Sequence, residues 1–226
     1  MYAQLNTKTV FSFMDATVKL TDYITAAKAL GYQTLGISDS DNLHAAHHFI
    51  MQAQAADIQP VIGYETTLLL NSLAINFTFI AKTNTGLKNL YSISSKKNFG
   101  FNDFSDMQSH LSDVALIIPA DSAIDSILSQ LPQNDVYVGL AQPMTQGFLR
   151  PKIPFLTVRY LNAGDAETLA ILHHIKNGTK YDDSLTSNHF ENLRAESDVR
   201  ALFDAESLKN LNRLVSEISY DIAFDT

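Results

Sequence analysis

The sequence contains no cysteine, and this absence excludes both disulfide bonds and thiolate-bound zinc. Long apolar runs are also missing, since no stretch approaches the roughly 18 consecutive residues of a membrane span. The first six residues lack the basic and apolar regions of a secretory signal. We therefore expect a soluble cytoplasmic protein with no membrane partner.

Basic charge is scarce as well. The 226 residues include 16 Lys and Arg against 24 Asp and Glu, which gives a net charge of −8. Proteins that grip a nucleic-acid backbone do so with clustered Lys and Arg, whose binding releases counterions. The nearest approach to such a cluster is Lys96-Lys97, preceded by Lys88, and this pattern is more typical of a solvated helix end. We expect this chain alone to bind DNA weakly or not at all.

Apolar residues make up 46% of the chain, enough to bury a sizeable core. Short apolar runs alternate with amphipathic stretches, and the runs predict strands at 2–7, 33–38, 60–65, 77–81, 114–118, 136–140 and 155–158. Helices are predicted at 22–30 (with Thr21 as a cap), 43–56, 86–97, 122–131, 164–177 and 207–219, and 141–153 is the most loop-like stretch. Repeated units of this length favour right-handed crossovers and a mainly parallel sheet. The pattern predicts an α/β fold, a closed or distorted barrel in one domain.

In barrels of this kind chemistry gathers at the C-terminal ends of the strands. The usual nucleophile and phosphate motifs (GxSxG, GxxxxGK and GxGxxG after a strand) are missing. The polar residues at the strand ends are therefore the candidates for a functional site.

Three strand ends carry an ordered pattern. Residues 4–9 (Gln-Leu-Asn-Thr-Lys-Thr) stand where a family motif reads HxHxHS, residues 38–43 (Ser-Asp-Ser-Asp-Asn-Leu) where it reads TDHGNL, and residues 60–65 (Pro-Val-Ile-Gly-Tyr-Glu) where it reads PIIGCE. Further matches follow at 76–83, 156–161 and 189–196. In order and spacing the chain resembles the N-terminal PHP (polymerase and histidinol phosphatase) module of bacterial replicative DNA polymerase III alpha subunits.

The resemblance implies a distorted (β/α)7-type barrel with mainly parallel strands. It also implies a single PHP domain over residues 1–226, a fragment of a longer DNA-directed DNA polymerase. That parent would be a nucleotidyltransferase of DNA replication that uses magnesium to extend a primer. The expected partners are the remainder of the chain and, through the whole protein, primer–template DNA and replisome subunits. A start near Met1 without an inserted nuclease domain resembles the simpler alpha-subunit class, without an upstream OB domain or built-in exonuclease.

Metal-bearing relatives hold divalent ions at these strand ends through His, Asp, Glu and Cys. The matching positions here are Asn6, Lys8, Asp15, Ser40, Glu65, Asn76, Asp121, Thr157 and Arg159. Only Asp15 and Glu65 clearly keep a ligand type, and no His remains in the expected pocket. We therefore expect a degenerate site with no metal, no catalytic residue and no cofactor of its own.

Lys8 and Arg159 would place fixed cations where metal ions should sit, and a protonated Lys or Arg cannot act as a ligand. We hypothesise that the two cations pair with Asp15, Glu65 and Asp121, so that salt bridges replace the metal charge. Partly buried charges are usually paired. The competing interpretation is drift after loss of function, with these side chains merely solvated.

Three functions stay open at this point. The favoured one is a non-catalytic structural and docking module of the polymerase. The second is a metal-dependent phosphoesterase or 3′–5′ proofreading exonuclease in which Asp15, Glu65 and Asp121 hold magnesium or manganese through oxygen. The third is a stand-alone interaction protein, which an open reading frame ending at Thr226 would support.

Two further groups of residues have a structural and a functional interpretation. His44 and His48 could share a helix face and hold a metal ion, but a solvated helix flank is the favoured interpretation. His173-His174 lies within a predicted helix, where a structural role is favoured. Phe99, Phe101 and Phe104 follow the two lysines, a composition that can bind single-stranded nucleic acid. Packing of this loop onto the barrel is the favoured prediction.

Overall fold

The computed structural model describes residues 1–122, 125–180 and 191–220. The strands are β1 (Asn6–Thr7), β2 (Thr34–Ser40), β3 (Gln59–Leu70), β4 (Leu73–Ala81), β5 (Val114–Pro119), β6 (Val136–Leu140), β7 (Lys152–Pro154) and β8 (Thr157–Val158). The helices are α1 (Leu20–Ala29), α2 (Ala46–Ala55), α3 (Asn84–Asn98), α4 (Phe104–Met107), α5 (Asp125–Leu128), α6 (Ala166–Asn177), α7 (Glu196–Leu202) and α8 (Ala205–Ser216).

The strands form a curled, mainly parallel sheet. Strands β2 to β7 lie side by side in chain order, while β1 pairs with β8 and is joined to β2 by a bridge between Gln4 and Leu35. All pairings are parallel except those of β4, which runs antiparallel to both neighbours. The predicted α/β fold with mainly parallel strands is confirmed. Within the described residues the ring is a partial barrel, since no ladder joins β7 to β8.

The exception, β4, arises from a hairpin that the sequence prediction missed. Strands β3 and β4 run well past the predicted ranges 60–65 and 77–81 and meet at a tight turn in which Asn71 and Ser72 have positive φ angles of 50° and 66°. Two-residue hairpin turns with both φ angles positive match the twist of the flanking strands. Asn tolerates this region better than most residues, which makes the turn possible without glycine.

Several element boundaries also differ from prediction. Helix α1 begins at Leu20 with Lys19 in the N-cap position, so Thr21 is not the cap. Helix α2 begins only at Ala46, which leaves His44 in the preceding turn. Strand β7 lies within the stretch predicted as a loop, and α7 was not predicted. Contacts with distant segments fix such short elements: the first residue of α7, Glu196, binds the backbone of Tyr2 and Leu30.

Two glycines bring β1, β2 and β3 unusually close together. A Cβ atom on Gly36 would lie 2.7 Å from the carbonyl oxygen of Leu5, and one on Gly63 would lie 2.1 Å from Ser38 Oγ. The Ser38 hydroxyl instead donates a hydrogen bond to the Leu5 carbonyl at 3.0 Å. This close packing brings the C-terminal ends of β1 and β2 beside the middle of β3.

A continuous core of buried apolar side chains fills the space between the sheet and the helices. None of the helices in the described part of the chain is long and apolar enough to cross a membrane.

Candidate functional site

The C-terminal ends of β1, β2 and β8 meet beside the middle of β3, at the position of Glu65, and we call this region the mouth. Lys8 directly follows β1 and Arg159 directly follows β8. The Lys8 amide donates to the Val158 carbonyl at 2.9 Å, so the two cations lie on adjacent strands. Ser40, the last residue of β2, is in register with Glu65 on β3. Four of the candidate positions, Lys8, Ser40, Glu65 and Arg159, therefore lie together at the mouth.

The first ion pair of the mouth joins Lys8 to Glu65. The Lys8 ammonium lies 2.9 Å from Glu65 Oε2, and it also donates a hydrogen bond to the Ser38 carbonyl. Ser40 Oγ donates to the other carboxylate oxygen of Glu65 at 3.2 Å. Lys8 is 0% exposed. Burial lowers the pKa of Lys8 below its ordinary value, and the charge of Glu65 opposes part of that decrease.

The second ion pair joins Arg159 to Asp15. One terminal nitrogen of the guanidinium contacts Asp15 Oδ2, and Nε lies 3.2 Å from Glu191 Oε1. The imidazole Nε2 of His173 lies 3.1 Å from Asp15 Oδ1. Burial by itself would lower the pKa of Arg159, but the two carboxylates outweigh burial, so the pKa is raised and the guanidinium stays charged. The hypothesis that Lys8 and Arg159 pair with Glu65 and Asp15 is confirmed.

The expectation that no His remains in the pocket is wrong. His173 comes from α6, far from the strand-end motifs in sequence, and helix packing brings it to Asp15. Glu191 is a second partner that sequence reasoning missed. Its backbone carbonyl accepts a hydrogen bond from the Arg159 amide at 2.9 Å, which fixes its position beside β8.

Of the remaining candidate positions, Asn6 and Thr157 lie next to the mouth, whereas Asn76 and Asp121 lie away from it. Asn6 and Thr157 are partners across β1 and β8, with Asn6 Nδ2 donating to Thr157 Oγ1 at 3.0 Å. Asn76 pairs with Thr67 on the hairpin, two residues nearer the tip than the partner of Glu65.

Asp121 lies in the exposed turn after β5, where it accepts a hydrogen bond from Ser122 at 3.3 Å. The inclusion of Asp121 in the ion-pair network was wrong, because that turn points its carboxylate to solvent.

A buried carboxylate that the sequence prediction did not single out is Asp39, at the end of β2. It accepts hydrogen bonds from the Thr9 amide at 2.6 Å, from Thr9 Oγ1 at 2.7 Å and from Ser12 Oγ at 2.7 Å. These contacts tie the loop that follows β1, and hence Asp15, to β2. The predicted strand 33–38 ended one residue before Asp39, so nothing in the sequence indicated that this carboxylate would be buried.

The charges at the mouth do not fit a bound metal cluster. Four carboxylates (Asp15, Asp39, Glu65 and Glu191) face two basic side chains (Lys8 and Arg159). The carboxylate oxygens of Asp15, Asp39 and Glu65 are instead bound to ammonium, guanidinium, imidazole, hydroxyl or backbone amide groups. Over the described ranges, no group of three or more His, Asp or Glu side chains is arranged to hold a metal ion. The arrangement acts as an electrostatic cross-link between strand ends, and its excess of carboxylates is unfavourable for a phosphate ligand.

Comparisons with known proteins agree with this architecture. A DNA polymerase III subunit alpha from Streptococcus pyogenes serotype M1 is 36% identical over 232 residues, which cover 100% of this chain and 22% of that protein. The corresponding protein of Staphylococcus epidermidis is 30% identical over 189 residues, 80% of this chain and 17% of that protein. This chain thus spans about a fifth of the length of the curated relatives it matches.

A solved structure of a proposed metal-dependent phosphoesterase from Bifidobacterium adolescentis superposes with a TM-score of 0.47 at 10% identity, covering 88% of this chain and 94% of that one. A similarity at that level says nothing about the activity of this chain. The family model described as the PHP domain matches residues 4–142, more than half of the sequence. The chain belongs to the PHP domain family.

Proposed function

We propose that this chain is the N-terminal PHP module of a DNA polymerase III alpha subunit, and that the module is structural and not catalytic. The observation that carries the proposal is the double ion pair at the mouth. The two carboxylates that clearly keep a family ligand type, Asp15 and Glu65, are held by Arg159 and Lys8. The identity with alpha subunits over the whole chain supports the assignment of the parent protein.

The double ion pair links segments that are distant in sequence. Lys8–Glu65 joins the end of β1 to the middle of β3, while Arg159–Asp15 joins the end of β8 to the loop after β1. A metal cluster would join the same strand ends only while metal was bound. Covalently attached cations hold these segments together at any metal concentration, which suits a module that must stay folded beside a working polymerase.

In this proposal the polymerase chemistry belongs to the whole protein. Nucleotide transfer to a primer end, with magnesium, would use carboxylates outside this chain. The partners of the module would be the remainder of the polymerase chain and, through it, primer–template DNA and replisome subunits. Bacterial DNA replication takes place in the cytoplasm, where we place the protein.

The absence of catalysis can be tested by hydrolysis assays on the 226-residue chain. We expect no release of nucleotide from the 3′ end of a labelled oligonucleotide, and no hydrolysis of a chromogenic phosphodiester, with magnesium, manganese or zinc. Metal-stimulated hydrolysis that is lost in Glu65→Ala and kept in Asp121→Ala would overturn the proposal in favour of a phosphoesterase. Asp121 is the matched control because its carboxylate is exposed and lies outside the ion-pair network.

The structural role has a separate test in the full-length polymerase. Glu65→Gln should lower the temperature at which primer extension is lost, while the extension rate at low temperature stays unchanged. A lower extension rate at low temperature, with unchanged heat inactivation, would contradict a purely structural role for the mouth.

A further inference from the structure

Helix α3 differs in charge from the rest of this acidic chain. Its fifteen residues, Asn84–Asn98, include Lys88, Lys96 and Lys97 but no Asp or Glu. Among the ion pairs formed by the described residues, none involves these three lysines. The ammonium of Lys97 donates to the Thr67 carbonyl at 2.8 Å, and that of Lys96 to the Asp106 carbonyl at 2.9 Å. These acceptors are neutral carbonyl oxygens, so the two lysines form hydrogen bonds here and not ion pairs, and the nearest acidic residues along the chain are Asp103 and Asp106, at the start of α4.

Aromatic rings lie on the solvent side of the same helix and in the loop after it. Lys88, Tyr91, Ser95 and Phe99 follow one another at spacings of three and four residues, which places them along one face. Tyr91 is 48% exposed, Phe99 is 83% exposed and Phe101 is 47% exposed. We call this surface the α3 stripe, defined by Lys88, Tyr91, Lys96, Phe99 and Phe101.

The prediction that this loop packs onto the barrel is right for Phe104 and wrong for Phe99. The ring of Phe104 is buried and stacks on Phe77, with 5.0 Å between centroids. Phe101 is partly covered by Lys96, whose ammonium lies 5.5 Å from the ring centroid. The Phe99 ring, by contrast, is exposed and does not contribute to the packing of the loop onto the barrel.

The loop that carries the rings is anchored at both ends. The Phe101 amide donates to the Lys96 carbonyl at 3.1 Å, and the Leu69 amide of the hairpin donates to the Asn102 carbonyl at 2.8 Å. Lys97 also donates to Asn102 Oδ1 at 2.7 Å. A ring held on a fixed loop loses little conformational entropy when a ligand stacks on it.

From the charge and the exposed rings we propose that the α3 stripe binds single-stranded nucleic acid without sequence preference. Exposed aromatic rings bind unstacked bases, and nearby lysines that form no ion pair attract the phosphates that link them. The two lysines of the stripe are too few for tight binding to a duplex, whose bases are stacked and cannot meet the rings. The stripe extends over roughly 16 Å of helix, from Lys88 to Phe99, at about 1.5 Å per residue. This proposal does not depend on the role of the mouth.

Binding can be measured by fluorescence anisotropy of a short labelled oligothymidylate titrated with the 226-residue chain. We expect weak association, with a Kd on the order of 10⁻⁴ M at low salt. The logarithm of the association constant should fall with the logarithm of salt concentration with a slope of about −1.4, for the two lysines of the stripe at about 0.7 each. A duplex of the same length should compete poorly.

Variants locate the binding surface. Phe99→Ala should weaken binding about tenfold, the loss expected for one stacked base, and Lys88→Gln should make the salt slope shallower by about 0.7. The matched controls are Phe13→Ala, which removes a ring that is 74% exposed in the loop after β1, and Lys209→Gln on α8. Both controls should bind like the unchanged chain. All four side chains are exposed, so equal melting temperatures should confirm that each variant is folded.

Three results would overturn the proposal: no anisotropy change at millimolar protein, equal binding by Phe99→Ala, or equal loss in Phe13→Ala. Concentration-dependent self-association in sedimentation, abolished by Phe99→Ala, would assign the stripe to a protein interface instead. The readout involves no hydrolysis, so its failure would leave the proposed structural role of the mouth standing.

Discussion

The two ion pairs of the mouth use similar charges in different surroundings. Lys8 is fully buried and has one carboxylate partner, Glu65. Arg159 is only partly buried and contacts two carboxylates, Asp15 and Glu191. The planar guanidinium can serve two partners at once, whereas the lysine ammonium is a compact point charge.

The difference indicates where the fold is sensitive to change. A buried charge that loses its sole partner keeps the full desolvation penalty, because water cannot replace the partner. A partly exposed charge such as Arg159, at the outer rim of the mouth, keeps a second partner and access to water when one partner is removed. The inner pair should therefore be important for stability, while the outer pair should tolerate single substitutions.

The largest expected effect comes from Glu65→Gln, which leaves the Lys8 ammonium buried without a carboxylate. We expect unfolding free energy to fall by about 3–5 kcal/mol in urea denaturation. The loss of unfolding free energy should not exceed about 5 kcal/mol, because Lys8 can lose its proton instead of staying charged. Removing the proton of a lysine with the ordinary pKa of about 10.4 costs about that much at pH 7. The matched control is Glu191→Gln at the rim, where we expect a loss of about 1 kcal/mol or less. Equal losses in the two variants would contradict the comparison.

A smaller effect is expected for Arg159→Met. The variant leaves Asp15 with its contact to His173 and with access to water, so we expect a loss of about 1–2 kcal/mol in the same measurement. A loss as large as that of Glu65→Gln would show that the outer pair is as important as the inner one.

Smaller again is the effect expected for the double variant Lys8→Met/Glu65→Gln. Removing both charges removes the unpaired ion, so the stability should return to within about 1 kcal/mol of the unchanged chain. The measurement is a double-mutant cycle in urea, completed by the single variant Lys8→Met. Additive losses in the double variant would mean that the two side chains do not act as a pair.

The smallest expected effect is a pH dependence of the free energy of unfolding that can be assigned to Lys8 alone. Burial lowers the pKa of Lys8 in the folded chain, so between that lowered pKa and about 10.4 the unfolded chain binds more protons. The free energy of unfolding of the unchanged chain, minus that of Lys8→Met, should therefore rise as the pH approaches 10.4. Titration of buried tyrosines such as Tyr23 cancels in this difference. A flat or falling difference would argue against a lowered pKa.

The parts of the site that sequence reasoning located are those carried by strand-end motifs. Lys8 and Arg159 directly follow predicted strands and Glu65 is the last residue of one, and parallel strands bring their ends to one edge. His173 and Glu191 could not be found this way, because they reach Asp15 and Arg159 through the packing of a helix and of a segment distant in sequence. Asp121 was misplaced since its position depended on an uncertain match in the loop after β5.

The same distinction holds for the fold. Long alternating units predicted the mainly parallel sheet, as the six-stranded ladder from β2 to β7 shows. The short elements β7 and α7 carry too few residues for a periodic signal, and their positions follow from tertiary contacts. The hairpin turn at Asn71 and Ser72 lacks the Gly that usually marks such a turn.

The central claim is that the cations of the chain have taken the place of metal ions at the mouth. Its most direct test is the metal content of the 226-residue chain, purified without chelators or a His-tag and measured by plasma mass spectrometry. We predict zinc, manganese and iron at well below one ion per chain. One or more ions per chain, retained through desalting and lost in Glu65→Ala, would contradict the claim and would favour a working phosphoesterase site.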